Sequence, residues 1–169
     1  MDEQHSKHAV IGREFLTWLY FQSDSRAGRV QASGELFELW LDRKVTLEDD
    51  SIDPPSCVSF SGDTFTSDDL KTAIRSGKKI REARFRLEKG ENTWCFSLRA
   101  DRLEVAALKI DLPGAEDIDE RFHGRIIAIS ALNDFLDTCF GVFLDSVLSK
   151  KWKSGGCKEF QTWLDIQAA

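Results

Sequence analysis

His123 and Cys139 are the pair whose types could make a nucleophile and its base. Both fall in one apolar-periodic stretch, 16 residues apart. On a single helix that separation is about 24 Å at 1.5 Å per residue, far beyond hydrogen-bond reach. The other histidines, His5 and His8, stand near the start of the chain with no chemistry beside them. Glu116, Asp117, Asp119 and Glu120 gather four carboxylates but lack the spacing of a calcium loop. Acidic residues opening a helix are favoured by its dipole without any metal. The four cysteines, Cys57, Cys95, Cys139 and Cys157, form no C-x-x-C pair and no zinc spacing with histidine. No phosphate-binding glycine loop occurs. These residues point to no enzyme, no metal, no cofactor and no small-molecule substrate.

Charge is the second source of chemistry. From Lys71 to Lys89 there are eight Lys/Arg against two Asp/Glu, whereas the chain as a whole carries −6. Lys71 and Arg75, four apart, share a helix face if their segment is helical. Lys78, Lys79 and Arg81 follow, and Arg84 and Arg86 alternate along the next strand. If helix and strand lie side by side, the seven make one surface for a phosphate ladder, with strong salt dependence and little sequence preference. The competing reading is a solvated face partly neutralised by Glu82 and Glu88. Trp152 among Lys150, Lys151 and Lys153 is a smaller basic–aromatic cluster.

The elements that must position these groups are readable from periodicity. Residues 9–22 carry Ile11, Phe15, Trp18 and Leu19 at helical spacing, with Leu16, Tyr20 and Phe21 on other sides, which predicts a helix buried on more than one face. Leu36, Trp40 and Val45 to Leu47 predict two short strands joined near Asp42–Arg43. "CVSFSG" reads as a further strand. "TSDDLKTAIRSG" predicts a short helix with Thr66 as N-cap, Asp69 completing the box and Gly77 at the C-cap. Three alternating runs follow, with inner rows Ala83, Phe85, Leu87; Trp94, Phe96, Leu98; and Leu103, Val105, Ala107. They predict an antiparallel meander with one wet face. Ile118 to Leu148 is a long helical pattern, and "KEFQTWLDIQ" a short terminal one that echoes "EFLTWL" of the first helix. The fold class is α+β: an antiparallel sheet, three-strand meander plus shorter strands, packed against a long C-terminal helix and an N-terminal helix.

A chain of 169 residues, 41% hydrophobic and 31% charged, is read as one domain, residues 1–169, with a full core. "MDEQHSKH" lacks the apolar stretch of a signal peptide, and no apolar run reaches the ~20 residues of a membrane span. The expectation is a cytoplasmic protein with reduced thiols and no membrane contact.

The order of "EFLTWLYFQSD", "TSDDLKTAIRSGKKI", "REARFRLEKGENTWCFSLRADRLEVAALKI" and "EDIDERF" before a long apolar helix resembles the C-terminal half of the recombination-associated RdgC proteins, from about Gly12 to Leu148. The resemblance implies a bacterial, nucleoid-associated, non-enzymatic protein. It would bind double-stranded DNA without sequence preference, modulate recombination and form a ring-shaped dimer around a basic hole. The chain lacks the family's N-terminal half, and Ser61, Gly62 and Asp63 stand where that family can carry lysines. Two expectations follow. One is duplex DNA held by Lys71, Arg75, Lys78, Lys79, Arg81, Arg84 and Arg86. The other is an interaction or assembly subunit, phage- or defence-associated, that binds no DNA and uses the first and the long helix as surfaces for a homodimer or a partner protein.

Overall fold

A computed structural model describes residues 3–49, 51, 54–62, 66–114, 117–149 and 155–166. The chain is α+β, as the periodicities predict. Helix α1 (Glu3–Ser25) leads into β1 (Arg29–Ala32), β2 (Glu35–Asp49) and β3 (Ser56–Ser61). Helix α2 (Ser67–Arg75) precedes the meander β4 (Lys79–Lys89), β5 (Asn92–Arg99) and β6 (Glu104–Asp111). Helices α3 (Ile118–Leu148) and α4 (Cys157–Asp165) follow.

The six strands form one antiparallel sheet in the order β1-β2-β4-β5-β6, with β3 also paired to β2. Residues 35–49 form one long strand, not the two short ones that the sequence suggested. The chain does deviate at Arg43, where φ is 32°, and the β2–β4 register shifts between Leu41 and Val45. A bulge bends a strand without reversing it, so both halves stay on β4. The first half pairs with β1 on its other side, the second with β3. Strand β1 was missed because four residues between glycines give too short a pattern for period-two counting.

One face of the sheet carries Phe37, Leu39, Val45, Leu47, Ala83, Phe85, Leu87, Trp94, Phe96 and Leu98, all buried. The predicted inner rows of β4 and β5 are therefore observed. The third row is not as read. Leu103 precedes β6, and Ala107 has φ 51° at a bulge where Ala107 and Leu108 oppose Phe96. The bulge shifts the alternation, so Val105, Leu108 and Ile110 pack half-buried against the core.

Helix α1 is buried on several sides, as expected: Phe15, Leu16, Trp18, Leu19, Tyr20 and Phe21 all have little exposure. Phe15 meets Phe140 edge-on at 5.2 Å, and Trp18 meets Phe143 at 5.7 Å. Helix α3 rests on the body by one row, Ala128, Leu132, Phe135, Cys139 and Phe143, at helical spacing. Trp94 donates its indole N–H to the carbonyl of Ala128 at 2.9 Å, which fixes this crossing.

Helix α2 has the capping box read from its sequence. The Thr66 hydroxyl accepts from Asp69 N–H, and Asp69 Oδ2 accepts from Thr66 N–H at 2.7 Å. Its end is a Schellman motif: Lys78 N–H bonds Ala73 O, and Gly77, at φ 97°, bonds Ile74 O.

Candidate functional site

Lys71 is 6% exposed and faces the body. Its ammonium pairs with Asp24 Oδ2 at 3.3 Å, donates to Ile166 O at 3.4 Å and lies 5.3 Å from the Trp163 ring centroid. Asp24 is a hub: Oδ2 also accepts the Trp163 indole N–H at 2.7 Å, and Oδ1 accepts from Ser67 Oγ at 3.1 Å. Ser67 Oγ in turn lies 3.0 Å from the Tyr20 hydroxyl. Burial is the main cause that raises the Tyr20 pKa above its ordinary value, so the phenol stays protonated. One turn on from Lys71, Arg75 donates to Leu164 O at 3.0 Å and stands 4.0 Å from Asp165. Both α2 cations thus serve the C-terminal end of α4, where unpaired carbonyls and the helix dipole favour positive charge.

The rest of the basic run is also matched within the chain. Lys78 donates to Ser56 Oγ at 2.9 Å, and Lys79 pairs with Glu14 of α1. Arg81 lies 3.6 Å from Glu48 and 4.0 Å from Asp101. Arg84 pairs with Asp42 at 3.0 Å and Arg86 with Glu88 at 2.5 Å. Nor do the seven converge. Lys71 and Arg75 belong to the helical layer, whereas Arg84 and Arg86 alternate with the buried Phe85 and lie on the opposite, uncovered sheet face. Asp42, Glu82, Glu88 and Glu104 interleave with the arginines there, so that face is mixed in sign. The sequence could not foretell this, because each carboxylate partner other than Glu88 and Asp101 lies more than thirty residues away.

The acidic lead-in to α3 is a helix cap. Asp117 accepts from Glu120 N–H at 2.8 Å, with Asp119 and Glu120 in the first turn. Glu116 lies outside the described residues, as does the Trp152 cluster. His123 sits on an exposed turn with Nδ1 2.9 Å from Asp119 O, while Cys139 is buried sixteen residues on along the same helix.

The unexplained surface is on α3. Ile118 (82% exposed), Phe122 (63%), Ile126 (52%), Ile127 (69%) and Ile129 (43%) stand uncovered among the charged residues of the first three turns. Ile118, Phe122, Ile126 and Ile129 recur at spacings of four, four and three, which puts them on one stripe. The long helical pattern read from Ile118 to Leu148 takes in all five, but periodicity does not tell a face packed within the chain from one left open. On α1, Val10 and Ile11 are also exposed, at 42% and 43%. Helix α3 is the one described helix long and apolar enough to cross a membrane, by length and composition alone. One row of buried residues seats it on the body, and most of the remaining helix surface is half-buried or exposed. No protein-family model matches the chain, and no curated protein matches it.

Proposed function

We propose that the chain is a non-enzymatic assembly subunit that docks a second copy of itself through the exposed stripe of α3. The observation that carries this reading is Ile118, Phe122, Ile126 and Ile129 standing open to water along one helix face. A solitary exposed leucine or isoleucine needs no explanation, but a continuous row of large apolar residues marks an interaction surface. Each apolar Å² covered contributes roughly 25 cal/mol, so several hundred Å² on each partner drives association. Charges near the stripe are of both signs, Asp117, Asp119 and Glu120 with Arg121 and Arg125, so two copies can set the arginines of one against the carboxylates of the other.

Light scattering at two protein concentrations tests the reading. The expected result is a dimer mass that falls on dilution, and a monomer at both concentrations for Phe122→Asp/Ile126→Asp. A wild-type chain that stays monomeric at both concentrations overturns it. Duplex DNA binding, the reading that the family resemblance supports, ranks second, because each of the seven cations must first leave a partner within the chain.

A further inference from the structure

We propose that the groove between α1 and α2 is a receptor for an amphipathic helix, and that α4 is its resident, displaceable occupant. The groove reads a helix at three points. Tyr20 and Phe21 form an aromatic floor on which Phe160 and Trp163, three residues apart, lie at 5.2 to 5.5 Å. Asp24 accepts the indole N–H of Trp163. Lys71 and Arg75 then take the carbonyls of Ile166 and Leu164 at the helix's end. That combination selects a helix with Phe and Trp at i and i+3, a free C-terminal end and a carboxylate such as Asp165 there.

Three observations make α4 displaceable. At nine residues it is too short to be a stable helix by itself, so its structure depends on docking. Its hydrogen bonds to the body run to side chains of α1 and α2, not into the sheet ladder. An open cleft of about 570 Å³ between α1 and α4, bordered by Phe21, Gln22, Arg26, Glu159 and Thr162, also leaves that flank of α4 uncovered. The motif itself is used twice. "EFQTWL" of α4 repeats "EFLTWL" of α1, whose Phe15 and Trp18 form the same kind of pair against Phe143 of α3. The occupant we assign is therefore a partner protein's helix of the Phe-x-x-Trp-Leu type with an acidic end, taking the place that α4 keeps closed. This does not depend on the α3 reading.

The test uses the full chain and a fluorescent peptide copying residues 155–166, amidated and with Cys157→Ser. Fluorescence anisotropy compares its binding to the wild type with its binding to Trp163→Ala, in which the resident helix has lost its anchor. An intramolecular competitor that leaves the groove empty about a tenth of the time or less lowers apparent affinity by that fraction, so binding to Trp163→Ala is expected to be about tenfold tighter or more. Adding Arg75→Ala to that chain is expected to return most of the gain. Phe160→Ala serves as a second weakened chain should Trp163→Ala fail to fold, and hydrogen exchange of β4 and β5 amides reports the fold of each. Equal binding to the wild type and the weakened chain overturns the proposal, as does absence of binding to a weakened chain whose sheet is intact.

Discussion

Gly12 lies on α1 where a side chain has no room: a Cβ there would collide with the carbonyl of Ala100 at the end of β5. The obstacle is backbone, so the helix itself must move. Gly12→Ala is expected to cost about 1–3 kcal/mol by overpacking, which in a chain of this size lowers Tm by several degrees. Differential scanning calorimetry measures it. Thiol chemistry separates the cysteines equally sharply. Burial pushes the Cys139 thiol up to about 12, so it holds almost no thiolate at pH 8. Titration with a disulfide reagent is expected to label exposed Cys57 and Cys157 quickly, and Cys139 only on unfolding. Hydrogen bonds from the Thr66 backbone and hydroxyl hold the Asp69 carboxyl below its ordinary value. A depressed folded-state pKa means stability that is present above the unfolded value and lost as pH falls through the folded one. The cap of α2 is therefore expected to loosen only below about pH 4, seen as faster α2 hydrogen exchange, and Asp69→Asn to remove that pH dependence.

At the scale of elements, the two halves of α3 behave as different objects. Phe135 is buried against Phe37 at 4.8 Å, so Phe135→Ala is expected to cost about 3–5 kcal/mol in urea unfolding. Phe122→Ala, on the open stripe, is expected to change monomer stability by less than about 1 kcal/mol while weakening association. The extent of α3, the caps of α2 and the alternation of β4 and β5 were legible because they are local, whereas α1 runs over Glu3–Ser25, well beyond the predicted residues 9–22. The bend in β2 was read as a turn because Asp42–Arg43 interrupts the alternation, and only pairing to β4 keeps both halves in one strand. The bulge at Ala107 likewise shows itself only against Phe96 on the neighbouring strand.

For the whole molecule the decisive quantity is where charge meets charge. Lys79–Glu14 joins the sheet to α1, Arg13–Glu48 at 2.9 Å repeats that link in a nearly dry setting, and Lys71–Asp24 joins α2 to α1. Lys71→Met is expected to take the ammonium from Asp24 while leaving it the Trp163 indole and the Ser67 hydroxyl, and to cost about 1–3 kcal/mol, measured by urea denaturation. With the run's cations so occupied, a gel shift with plain duplex DNA at about 150 mM salt is expected to show no complex. A complex whose salt slope falls on Lys79→Glu/Arg84→Glu would instead restore the nucleic-acid reading.

The sequence by itself determined the fold class, the capped short helix, the inner rows of β4 and β5 and the extent of the long helix, because these rest on periodicity and on contacts within a few residues. It also located the basic run. Only the tertiary structure decided what that run touches: carboxylates mostly distant in sequence arrive beside it, and pairing across space is invisible to a linear count. The same holds for α3, where a single periodic pattern splits into a buried row and an open stripe once the rest of the chain packs against one side of it.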